Sequence, residues 1–187
     1  WIREQYQQAG ERYTRALQLL NEVNTANIIR LKYGLTLEKL DRLDEAAEIF
    51  RQIIRESGLA VDSVITVTVY EHLANVSERS GSYREALSAL RALQHQRDSE
   101  ARARGKHRVG DIYSQQTEDY QSAIQTYQSI SDSFPRYTGI DKVLFSLGRT
   151  QIKARQFDNA QRTFRQLMDL YPYTLYMEDA REHLWYL

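Results

Sequence analysis

The sequence predicts an all-α protein, a right-handed solenoid of antiparallel helix pairs closed by a C-terminal capping helix. Three observations carry this. Helix breakers are scarce, with 2 prolines and 8 glycines among 187 residues, in a chain rich in the good helix formers Gln, Arg, Glu, Leu and Ala. One pattern of small and large residues recurs: Ala46 to Ala86 is 40 residues, and Ala86 to Ala123 and Ala123 to Ala160 are 37 each. The run "VDSVITVTVY" (61–70) is β-branched and would favour a strand in isolation. It has no partner strand elsewhere, so it reads as helical.

The elements follow from that spacing. Residues 1–26 form an incomplete first repeat, in which "GERYTRALQLL" offers Tyr13, Ala16 and Leu20. Four fuller repeats occupy 27–60, 67–100, 103–137 and 141–174. In each, a small residue of the first helix (Gly34, Ala74, Gly110, Gly148) and an alanine of the second (Ala46, Ala86, Ala123, Ala160) let the two helices approach closely. Large residues fill the space around them: Leu43 and Phe50, Tyr83 and Leu90, Tyr120 and Tyr127, Phe157 and Phe164. Pro135 and Pro172 end second helices, because proline lacks the amide hydrogen and clashes with the preceding turn. Extra residues fall at 61–66, 101–102, 117–119 and 138–140, where they lengthen loops or helix ends. The segment 175–187, "LYMEDAREHLWYL", has helical apolar spacing and no following helix, which suits a cap. The whole is one domain, 1–187.

With its small residue, aromatic, alanine and closing proline in phase, the chain resembles the tetratricopeptide repeat family, strongly over 27–187 and weakly over 1–26. The joints "SFPRYTGIDKVLFSLGRTQ" and "LYPYTLYMEDAREHL" further resemble those of bacterial envelope repeat proteins, the Tol-Pal coordinators and the outer-membrane assembly lipoproteins. That second resemblance implies a periplasmic or envelope setting, with the cytoplasm as the alternative. The chain starts at Trp1 without an initiator methionine and reads as a piece of something longer.

Composition removes several classes of function. Lys plus Arg equals Asp plus Glu at 25 each, so the broad basic field of a nucleic-acid binder is lacking. The basic run "ARARGKHRVG" (101–110) falls in phase with a first helix. No apolar run approaches the roughly 20 residues that span a bilayer. There is no cysteine, hence no disulfide or thiolate chemistry. The histidines His72, His95, His107 and His183 form no metal-binding spacing. The carboxylates Glu38, Asp41, Asp44, Glu45 and Glu48 cluster at a turn and along a solvated helix start, not across a cleft. Most tyrosines are core by phase, while Tyr137, Tyr171, Tyr173 and Tyr176 gather near the prolines. No catalytic residue, metal site or cofactor is expected.

The family resemblance implies a partner bound in the concave groove lined by first helices. Counted in phase, that surface carries Thr68, Glu71, Asn75, Glu78 and Arg79, then Arg104, His107, Arg108 and Asp111, then Lys142, Phe145, Arg149 and Lys153. The expected partner-binding set is Asn75, Arg79, Arg104, His107, Arg108, Lys142, Phe145, Arg149 and Lys153. The chaperone-binding subgroup uses a carboxylate clamp, and Arg104 and Arg108 match its third element. Leu31 and Leu35 stand where its first Lys and Asn would be, so the clamp is broken. The expectation is a non-enzymatic scaffold that binds an extended, acidic polypeptide in the C-terminal half of the groove. The alternative is a ligand- or peptide-sensing regulatory module joined to an output domain outside this sequence.

Overall fold

The computed structural model describes residues 2–19, 23–57 and 64–187. Among them every regular element is helical and none is a strand, so the expected fold class is the observed one. The chain divides into two compact units, Trp1–Arg97 and Asp98–Leu187.

In the first unit, α1 (Ile2–Leu19) packs on α2 (Val23–Lys39), which pairs with α3 (Leu43–Ser57). Next, α4 (Val64–Arg79) pairs with α5 (Tyr83–Ala92), and a 3-10 turn, Leu93–His95, extends the last helix. The β-branched residues 64–70 open α4, as tertiary packing overrides their strand propensity. Residues 61–63, half of the 61–66 insertion, lie outside the described residues.

The second unit repeats the scheme. Helix α6 (Ser99–Gln115) pairs with α7 (Tyr120–Ser133), α8 (Ile140–Lys153) with α9 (Phe157–Leu170), and α10 (Met177–Tyr186) lies against α9. Side chains cap two of these starts, the Asp98 carboxylate accepting from the Glu100 amide and Asp119 from that of Ser122. Such caps satisfy donors that a helix start leaves unpaired.

What joins first to second helix is a knob and a notch. A Cβ built on Gly34 would lie 2.6 Å from the Phe50 ring, on Gly110 2.5 Å from Tyr127, and on Gly148 2.7 Å from Phe164. The ring of the second helix therefore occupies the volume that any side chain on the first would need. Where the small residue is Ala74, the opposing knob is Leu90, and both are fully buried. Ala46, Ala86, Ala123 and Ala160 are also fully buried. The other expected space-fillers behave differently. Leu43, Tyr83 and Tyr120 are half-buried and Phe157 is exposed, because each is the first residue of its helix and has core on one side only.

The turns inside the pairs share one geometry. Asp41, Gly81, Glu118 and Arg155 have φ of 62°, 78°, 54° and 58°. Past three of them the chain closes with a bond from the third residue beyond the helix to a carbonyl five residues back: Arg42 N to Leu37 O, Ser82 N to Ser77 O and Gln156 N to Gln151 O. This is the Schellman ending, which requires a left-handed residue.

Candidate functional site

The face to examine is the one formed by first helices, and each unit builds its own. In the first unit it is organised around Glu38, in the last turn of α2. Its carboxylate is buried and accepts from Asn75 Nδ2 at 2.6 Å, with His72 Nδ1 at 2.7 Å and Arg79 Nη1 at 3.8 Å, all on α4. Arg79 also donates to Asp41 at 2.6 Å. The sequence places Glu38 among solvated acids; the structure buries it, because the next first helix lays three polar side chains over it. A buried carboxylate persists only with such partners. Asn75 and Arg79, two residues of the expected binding set, are therefore engaged with α2 and its turn.

In the second unit the face lies on α6 and α8. His107 is buried, with Nε2 at 3.4 Å from Ser146 Oγ and 3.8 Å from Asp111 Oδ1, its ring edge-on to Tyr127. Burial pushes its imidazole below the ordinary value; Asp111 opposes this, Lys142 adds to it, and Asp141 opposes it. Tyr127 reaches across from α7 to donate to Asp111 at 2.7 Å. Burial first, and then the Asp111 charge, hold its phenol far above the usual range. Ser114 Oγ and Thr150 Oγ1 are 2.8 Å apart, and Thr150 donates in turn to the Ser146 carbonyl. The Ser114–Thr150 and His107–Ser146 contacts link α6 to α8.

The cations stand above this polar seam. Lys142, Arg149 and Lys153 are exposed along α8, while Arg104 and Arg108 are half-buried on α6. The Arg149 guanidinium lies 5.7 Å from the centre of the Phe145 ring, and Lys153 Nζ lies 5.8 Å from that of Tyr120. Phe145 itself is buried, stacked on Tyr176 at 4.8 Å and tilted against Phe164 and His183. It serves as the shelf under Arg149. The acids nearby are engaged: Asp111 by Tyr127, and Asp141 by the Thr174 hydroxyl at 2.7 Å and the Lys142 amide.

The residues that sequence reasoning passed over are Glu38, Ser114, Ser146 and Thr150. A signal for them existed. Their partners His72, Asn75, His107 and each other lie 34 to 39 residues away, about one repeat period, so aligning the repeats would have set them side by side.

Among the described residues no group of three or more His, Asp or Glu side chains could hold a metal ion, and no helix is long and apolar enough to cross a membrane.

Paired helices locked by a small residue and a facing knob, with polar first-helix faces, define a helical repeat protein. In the sequence, residues 30–57 and 142–172 match the tetratricopeptide repeat, and the fold is like that of solved tetratricopeptide repeat proteins. A tetratricopeptide repeat protein from Parabacteroides merdae superposes with a TM-score of 0.71 at 17% identity, over 95% of this chain. This chain spans 64% of that protein's length. The nearly identical repeats of a putative kinesin light chain from Podospora anserina give 0.70 at 16% identity, over 89% of this chain and 87% of theirs. YrrB, described as a tetratricopeptide repeat protein with an unusual peptide-binding site, gives 0.66 at 16% identity, over 96% of this chain and 84% of its own. No curated protein matches the chain in sequence.

Proposed function

We propose that this chain is a non-enzymatic scaffold whose first-helix face on α6 and α8 binds an extended, acidic segment of a partner polypeptide. The observation that carries the reading is the charge arrangement there: Lys142, Arg149 and Lys153 are exposed on α8 while Asp111 and Asp141 are occupied by protein donors. Arg104 and Arg108 extend the basic surface along α6. Exposed cations along α8 attract carboxylates, and arginine can hold one through two parallel hydrogen bonds. His107 and Phe145, both buried, act in this reading by fixing Asp111 and Arg149. Asn75 and Arg79, on α4, are engaged by Glu38 and Asp41 and are not part of this face. The peptide-binding description of YrrB is consistent with the class of ligand. The envelope setting rests on the resemblance of the proline joints alone.

The test is binding of a labelled Asp/Glu-rich peptide, followed by fluorescence anisotropy at two salt concentrations, to the wild-type protein and to Arg104→Glu/Lys142→Glu. The wild type should bind more weakly at the higher salt, as screening demands, and the folded variant should lose binding. Equal binding by both proteins, insensitive to salt, sinks the proposal.

A further inference from the structure

A small cleft opens between the ends of α6 and α8, lined by Ser114, Gln115, Tyr127, Ser146, Arg149, Thr150 and Lys153. Its free volume of about 20 Å³ holds one water-sized atom group. Arg149 and Lys153 stand one helical turn apart on α8 and both line the opening. Elsewhere Arg42, Arg51, Arg55, Arg79 and Arg181 each pair with a carboxylate. Among the described residues none pairs with Arg149 or Lys153, whose contacts are the Phe145 and Tyr120 rings and, at 3.4 Å from Lys153 Nζ, the Ser114 carbonyl.

Two cations lining one opening, with no carboxylate paired to either, favour an anion there. The rings also limit how far each side chain wanders, which reduces the conformational freedom lost when an anion is gripped. The floor is already hydrogen-bonded: Thr150 donates to the Ser146 carbonyl and Tyr127 to Asp111. What remains for a ligand is the two cations at the rim and the exposed Gln115 amide.

We propose that this cleft is an oxyanion subsite: one oxygen of a carboxylate or phosphoryl group enters it, and the others are held by Arg149 and Lys153. The proposal rests on the polypeptide-binding reading for its biological ligand, which carries the group as an acidic or phosphorylated side chain. It stands on the cleft for its chemistry.

Two small probes test it without a partner. The 15N-labelled wild-type protein is titrated with phenyl phosphate and, separately, with acetate, and followed by NMR. The expected result is saturable shifts centred on Gln115, Ser146, Arg149 and Lys153 with at least one probe. Phenyl phosphate alone marks a phosphoryl site; both probes mark a general carboxylate site. Arg149→Gln/Lys153→Gln should weaken that binding about tenfold, the loss of a charge-assisted pair of contacts. Shifts that never saturate, that spread over every exposed arginine, or that persist in the variant overturn the subsite. The wild-type titration alone decides the matter if the variant fails to fold. An acidic peptide that does not bind while phenyl phosphate does removes the polypeptide reading and leaves the subsite. A peptide bound equally by wild type and variant, with no saturable probe shift, does the reverse.

Discussion

Gly148→Ala tests the knob-and-notch reading of the repeats. The added Cβ would stand 2.7 Å from Cε1 and Cζ of Phe164, where carbon atoms normally approach to about 3.5 Å. The ring must therefore retreat by most of an ångström. It has little room, being fully buried, stacked on His183 at 5.2 Å and tilted against Phe145 at 6.0 Å. Overpacking of this kind costs about 1–3 kcal/mol, against a gain of about 1 kcal/mol from replacing a mid-helix glycine by alanine. The expected net loss is about 1 kcal/mol. Phe164→Leu alone should lose a comparable amount through the space it leaves. Together the two changes recreate the Ala74 and Leu90 pairing of the α4–α5 repeat, and the double variant should recover about 1 kcal/mol or more relative to the sum. Guanidinium chloride unfolding of all four proteins, followed by far-ultraviolet circular dichroism, gives the cycle. Gly10→Ala is the control: its Cβ would meet only Tyr33, at an ordinary 3.5 Å, so it should stabilise by about 0.5–1 kcal/mol. A stabilising Gly148→Ala, or losses additive within about 0.5 kcal/mol, would refute the reasoning.

The other predictions concern turns and pH. Gly81, at φ 78° with nothing within 4 Å of a built Cβ, should lose about 1–2 kcal/mol on replacement by alanine through backbone strain alone, while Arg155→Gly at φ 58° should gain up to about 1 kcal/mol in the same denaturation assay. His107 has its folded pKa lowered by burial, so the stabilisation it lends is complete above its unfolded value of about 6.5 and is lost as pH falls through the folded value. Thermal melts from neutral pH downwards should show this decline in the wild type and a flatter profile in His107→Gln. Burial sets the direction, and the neighbouring charges of Asp111, Lys142 and Asp141 modify it. Glu85 is held below the usual carboxylate range by its paired hydrogen bonds to Arg51, at 2.7 and 2.9 Å between α3 and α5, against the cost of burial. Its contribution is present above an unfolded value of about 4.3 and disappears as pH drops through the lower folded one. Glu85→Gln should cost about 1 kcal/mol at neutral pH, a modest figure because the pair is part-exposed, and should cost nothing once the wild-type carboxyl is protonated.

The amino-acid sequence by itself determined the helix pairs. Gly34, Gly110, Gly148 and the four alanines are legible because the contact they make is between helices joined by one short turn, so their spacing along the chain fixes their spacing in space. The same holds for the matching of ring to glycine and leucine to alanine, which shows as a covariation between repeats of one chain. Only the tertiary structure decided what the charged and polar residues do. Glu38 reads as a solvated acid until α4 brings His72 and Asn75 over it. His107 and Phe145 read as groove contacts until Tyr127, Tyr176 and His183 close around them. Arg149 and Lys153 read as groove cations, and the structure adds the Phe145 and Tyr120 rings beside them and the cleft that both line. Each of these outcomes depends on which residues of one repeat lie against the next, a matter of angle and register between helices about 37 residues apart. Apolar burial is written in periodicity along one helix, whereas the partner of a charge is chosen by a second helix whose position only the packed fold supplies.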